Sequence, residues 1–169
     1  LTSVDLSGNP LKDTGAKALA RSGLLANLDV LKLESCQLTD AGLTVLAHAP
    51  DCRVEQLFLG GPDNVFTPAG LEALLESPAA DQLRTLSLAG CGDLGDQAFS
   101  LCKRSPSLAG LAELDLTGQR LTDWRVKTLT DSPHLAELAH LSWYQARTTP
   151  RLVEAEELLE RRWPGRVRL

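Results

Sequence analysis

Six times along this chain, apolar residues recur in the frame L-x-x-L-x-L. The frames are Leu1-Val4-Leu6, Leu28-Leu31-Leu33, Val54-Leu57-Leu59, Leu83-Leu86-Leu88, Leu111-Leu114-Leu116 and Leu138-Leu141-Trp143. They start at residues 1, 28, 54, 83, 111 and 138, a spacing of 26 to 29 residues. Alternation with period two is the pattern of a half-buried strand. After each frame the apolar spacing changes to three and four, as on one face of a helix. In the second unit this second pattern is Leu43, Leu46 and Ala47. A strand and a helix sharing about 27 residues bury too little apolar surface to fold alone, so the units must stack. The whole chain, 1–169, is therefore read as one α/β repeat domain of about six repeats.

Between strand and helix, equivalent places hold Asn9, Cys36, Cys91 and Gln119. An asparagine there bonds the backbone as the chain turns away from the strand, and stacked repeats turn such amides into a ladder. A small buried thiol fits the same place as a weak donor. Cys36 and Cys91 fall two repeats apart, about 10 Å at the spacing of neighbouring strands, which is too far for a disulfide. Helix starts are marked by Thr39-Asp40, Thr67-Pro68, Thr122-Asp123 and Thr149-Pro150. Thr caps free N–H groups, and Asp or Pro suits the first turn.

One helical place stays small, at Gly15, Gly42, Gly70 and Ala98, where helix and neighbouring backbone are expected to approach closely. Arg125 and Leu152 break that pattern, and the helix layer is expected to loosen or tilt at both. The third unit is about two residues longer between Leu59 and Phe66, and the fourth one longer between Cys91 and Leu94. Gly, Pro, Asp and Asn dominate both insertions, which reads as surface turns.

Composition narrows the function classes. Apolar residues make up 43% of the chain, enough for a core and against disorder. A net charge of -5 argues against nucleic acid or an anionic membrane as partner. No apolar run is long enough to span a membrane. The four cysteines form no CxxC pair and no metal-ligand spacing with the three histidines, so reduced thiols in a cytoplasmic protein are expected, with no metal and no cofactor. Residues 150–169 read as a charged closing helix and cap, with Leu152, Ala155, Leu158 and Leu159 inward. Val167-Arg168-Leu169 returns to the strand frame. The chain opens inside a repeat and contains no methionine, so a truncated N-terminus with an open sheet edge is expected.

The units 1–20, LTSVDLSGNPLKDTGAKALA, and 28–47 resemble the leucine-rich repeat in its ribonuclease-inhibitor-like subtype, with the frame LxxLxLxxNxLxDxGxxxLA. A looser likeness is to large bacterial repeat arrays. The cysteines and glutamine at the Asn place, the two insertions and Arg125 depart from the pattern. The resemblance implies a right-handed horseshoe, with parallel strands on the concave side and helices on the convex side. Relatives in this broad family include nuclease inhibitors, activators of small GTPases and sensor halves of immune receptors, nearly all of which bind other proteins through the concave face.

On that face point the residues at places three, five and seven of each frame, which the core does not need. Partner contact is expected at Asp5, Lys32, Glu34, Phe58, Glu113, Asp115, His140 and Tyr144. Phe58 and Tyr144 are the exposed aromatics suited to anchoring an interface. His140, Ser142 and Asp115 invite a triad. However, the serine lies on a regular strand with no sharp turn and no helix N-terminus to stabilise an oxyanion, so no catalytic residue is expected. The function that follows is a non-catalytic, monomeric scaffold for a protein partner. The alternatives are a structural spacer in a larger protein, or a regulator of a small GTPase or other enzyme.

Overall fold

The computed structural model describes residues 1–144 and 153–169. Thr149-Pro150 and Leu152 lie outside them. Seven short strands alternate with helices: β1 (Ser3–Asp5), α1 (Lys12–Arg21), β2 (Val30–Lys32), α2 (Asp40–Ala47), β3 (Gln56–Phe58), α3 (Pro68–Leu75), β4 (Thr85–Ser87), α4 (Gly95–Arg104), β5 (Glu113–Asp115), α5 (Asp123–Thr130), β6 (His140–Ser142), α6 (Val153–Arg162) and β7 (Val167–Arg168). The strands form one sheet in chain order, and every pair is parallel. Short 3₁₀ turns, Leu24–Asn27, Ala80–Gln82 and Pro106–Gly110, return three of the helices to the sheet. The chain is an α/β solenoid in which each unit adds one strand and one helix.

Register follows the leucines. Leu31, Leu57, Leu86, Leu114 and Leu141 pair across successive strands, and each is at most 6% exposed. Burying one such side chain contributes roughly 1.5–3 kcal/mol, so the stacked columns supply most of the driving force. The sixth frame substitutes Trp143, which stays buried because its indole N–H donates to the Gln119 carbonyl at 2.9 Å. Its ring also stacks on Phe99 at 5.2 Å. The helices turn Leu43, Leu46 and Ala47, Leu71, Leu74 and Leu75, and their equivalents into this core.

The turn ladder forms, with one correction. The thiols of Cys36 and Cys91 donate to the carbonyls of Leu6 and Leu59, each on the preceding unit, at 3.2 Å. Gln119 is fully buried and accepts the Leu94 N–H at 2.9 Å. The insertion in the third unit is not wholly a surface turn, because Asn64 within it is 1% exposed. Its Oδ1 accepts the N–H groups of Cys36 and Leu38, at 2.9 and 3.0 Å, and its Nδ2 donates to the carbonyls of Leu33 and Leu59, both at 2.8 Å. Counting along the unit puts Pro62, which has no side-chain donor, at the ladder place; the extra residues let the loop fold back and supply the amide from Asn64. Gly92 and Asp93 in the insertion of the fourth unit are exposed, as a surface turn requires.

The small helical column has a cause beyond the close backbone approach expected. Asp13 on α1 reaches the next unit, accepting from the N–H groups of Thr39 and Gly42 at 2.9 and 3.0 Å and from the Thr39 hydroxyl at 2.7 Å. Asp40 repeats this toward Thr67, at 2.8 and 2.6 Å. A Cβ on Gly42 would collide with the Asp13 carboxylate, and one on Gly70 with the Asp40 carboxylate. At Gly42 and Gly70 the place is small to admit a neighbouring carboxylate, and at Gly70 the Asp40 Cα also comes within 3.1 Å of where a Cβ would sit. At Arg125 the same column is filled from the other side. The guanidinium is buried and pairs with Asp96 at 2.6 Å and Asp93 at 2.7 Å, and it lies 4.9 Å from the centre of the Phe99 ring. The helix α5 still packs against both α4 and α6.

In the closing element, Ala155 and Leu159 are buried as expected, and Arg162 is half-buried over the Trp163 ring and donates to the Ser132 carbonyl.

Candidate functional site: the outer face of the sheet

Side chains that point away from the helices fall into rows set by strand register. One row runs Ser3, Val30, Gln56, Thr85, Glu113 and His140. The next runs Asp5, Lys32, Phe58, Ser87, Asp115, Ser142 and Arg168. Six of the eight residues expected at a partner site, Lys32, Glu34, Phe58, Glu113, Asp115 and His140, line one hollow of about 410 Å³. The other two do not: Asp5 sits on the edge strand β1, and Tyr144, 57% exposed, lies past the end of β6.

The floor of the hollow is small and uncharged at Thr85, Ser87 and Ala89, and its walls carry the charges. Phe58, expected as an exposed anchor, is half-buried, with the Lys32 ammonium 5.4 Å from its ring centre. Ser87, expected in water, is 4% exposed because Phe58 and Asp115 flank it on the paired strands. Asp5 and Asp115 share a local device, in which Oδ1 accepts the N–H two residues on, at 3.0 Å from Ser7 and 2.9 Å from Thr117. Hydrogen bonds from the Ser7 N–H and hydroxyl, aided by the charge of Lys32, hold the Asp5 carboxyl below its usual range.

Sequence reasoning missed Arg168 as a site residue. It pairs with Ser142 and joins the hollow. The signal was present, since Val167-Arg168-Leu169 fits the strand frame and the middle place of that frame points outward. The invited triad is brought near but not assembled. Ser142 lies opposite Asp115, while His140 lies opposite Glu113, and among the described residues no hydrogen bond joins the histidine to Ser142 or Asp115. Among the described residues no group of three or more metal-ligating side chains is gathered, and no helix is long and apolar enough to cross a membrane.

One parallel strand per unit, with a helix folded behind it and a turn ladder between, defines a repeat solenoid with one face of its sheet left free of helices. The sequence profile described as Leucine Rich repeat matches residues 1–20 and 25–47. Ribonuclease inhibitor of Sus scrofa is 37% identical over 128 residues, which cover 73% of this chain and 28% of that protein. Ribonuclease inhibitor of Mus musculus is 32% identical over 126 residues, covering 72% of this chain and 27% of that protein. The chain thus aligns to little more than a quarter of the length of these relatives. Among solved structures, one named Leiomodin-1 Actin-Binding Site 2 superposes with a TM-score of 0.48 at 18% identity, over 78% of this chain and 80% of that one. This chain is a leucine-rich repeat protein of the ribonuclease-inhibitor-like type.

Proposed function

We propose that this protein is a non-catalytic scaffold that binds a protein partner on the outer, concave face of its sheet. The single observation that carries this reading is the convergence of Lys32, Glu34, Phe58, Glu113, Asp115 and His140, none of them part of the core, on one hollow. The names of the two inhibitor relatives, which describe proteins that act on another protein, support it. The organisation we propose is one domain, 1–169, with repeats starting at 1, 28, 54, 83, 111 and 138 and a cap over 150–169, working as a monomer without cofactor or metal. A reducing, cytoplasmic setting is supported by the four free cysteines, two of which serve as turn donors.

The test replaces Lys32, Phe58, Asp115 and Tyr144 by alanine together. Loss of partner capture, with an unchanged circular dichroism melt, is the expected result. Capture equal to that of the parent chain overturns the reading in favour of a structural spacer.

A further inference from the structure

Just before each strand frame, one side chain closes the core where the connector enters the sheet. Counting three back from the frame starts at 28, 111 and 138 gives Leu25, Leu108 and Leu135, each at most 1% exposed. The two frames between them, at 54 and 83, break this column. Before the second of these stands Ala80. Before the first stands Asp51, exposed and at a φ of 55°, and the smaller Cys52 beside it packs half-buried against the core instead.

Two small neighbours in a column of leucines leave space. A slot of about 20 Å³ lies there, lined by apolar side chains that include Leu25, Leu31, Leu57, Leu74 and Leu83. It shares Ala47, Cys52 and Ala79 with the hollow of about 540 Å³ outside, so the two meet at these residues. The slot has about the room of one water molecule, but its side chains offer none of the polar partners that a buried water needs. Atoms lining such a gap forgo dispersion contacts, which favours an apolar group that enters. In the outer hollow Ala49, Pro50 and Pro78 add apolar surface, and His48, Asp51, Arg53 and Gln82 add polar groups. Asp51 and Arg53 carry opposite charges, so an ionic head group is not preferred. The side-chain N–H groups of Arg53 and Gln82 have no partner among the described residues and can hold an oxygen.

We infer that slot and hollow together form a site for a small neutral molecule with a branched alkyl end and an oxygen head group. The methyl end fills the slot, as the missing leucine side chain would, and the oxygen faces Arg53 and Gln82. A pocket of this size, mostly apolar with a few polar groups at one side, is the usual form of a small-molecule site. None of its residues borders the hollow on the sheet face, so it is independent of the partner surface proposed above.

The test follows the leucine methyl signals of the intact chain by NMR during titration with isoamyl alcohol, whose alkyl end copies a leucine side chain, and with ethylene glycol, which has no apolar end. Saturating shifts at Leu57 and Leu74 are expected with isoamyl alcohol alone, at a Kd of about 1 mM, as suits a ligand of so few non-hydrogen atoms. Cys52→Ala widens the slot and is expected to tighten binding a fewfold, whereas Cys52→Leu restores the plug and is expected to abolish saturation. Shifts that never saturate, that are equal for the two alcohols, or that persist in the Cys52→Leu chain overturn the inference and leave a packing gap only. Should the Cys52→Leu chain fail to fold, the reaction of Cys52 with a thiol reagent in the parent chain decides. Isoamyl alcohol at about 10 mM must slow that reaction about tenfold relative to ethylene glycol, and an equal rate overturns the inference.

Discussion

Asn64 holds more of the backbone than any other single side chain among the described residues. Five main-chain groups of two adjacent units depend on its amide, the N–H groups of Cys36 and Leu38 and the carbonyls of Leu33, Leu59 and Gly60. Asn64→Ala leaves the Cys36 and Leu38 N–H groups without acceptors, so a loss of about 2–4 kcal/mol is expected in urea unfolding. The cysteines divide by burial in the same way. Burial pushes the Cys91 and Cys102 thiols up to about 12 and raises Cys36 as well. Cys52 is also raised by burial, but it is only half-buried and borders a hollow of about 540 Å³, where its connector lacks the 3₁₀ turn found in other units. Titration of the native chain with a thiol reagent is therefore expected to label Cys52 first. Early labelling of Cys36 would contradict its place in the ladder.

Two helix joints solve the same problem in opposite ways. Between α1 and α2 the Asp13 carboxylate occupies the space that the absent Gly42 side chain leaves. A helical glycine replaced by alanine ordinarily gains about 1 kcal/mol. Here Gly42→Ala is expected to destabilise the parent chain yet to stabilise a chain already carrying Asp13→Ala, and a double-mutant cycle in urea reads the reversal. Between α4 and α5, Arg125 fills the equivalent space. Its side chain is 6% exposed, against 46% for Asp93 and 63% for Asp96.

The asymmetry sets the outcome of substitution. Removing both acids strands a buried cation, at roughly 2 kcal/mol once solvent screening at the exposed carboxylates is allowed for, whereas Arg125→Met frees two carboxylates to hydrate and costs about 1 kcal/mol or less. Burial alone would raise the Asp93 carboxyl, but hydrogen bonds from Arg125 and the Gly95 N–H, with the Arg125 charge, outweigh it and leave the carboxyl below its usual range. A depressed carboxyl contributes stability that is full above the unfolded-chain value, about 4, and fades as pH falls through the folded value. The gap in urea midpoint between parent and Asp93→Asn chains should thus be present at pH 7 and close in acid.

At the scale of the molecule, one hydrophobic cluster runs without a break from Ala16 to Trp163. Each unit leans on its neighbours, so stability is a sum over stacked interfaces. Loss of helical ellipticity and exposure of the thiols of Cys36, Cys91 and Cys102 are expected to share one urea midpoint. Separate midpoints would mean that the units on the two sides of the third unit's insertion unfold independently.

Strand and helix periods, the six frames and the outward places of each strand were legible in the chain, because leucine spacing states directly which side of each element is dry. Val167-Arg168-Leu169 was legible as strand for the same reason. What tertiary structure alone decided are the partnerships between units. No local pattern tells that Asn64, two places late by count, closes the ladder, since only the folded loop brings it back. Neither does any pattern tell that Gly42 makes room for Asp13, or that Arg125 finds Asp93 and Asp96 some thirty residues away. Ser87 is the sharpest case: its place in the frame says water, yet the side chains of two neighbouring strands bury it. Period is a property of one segment, while burial and pairing belong to the surfaces that segments present to one another.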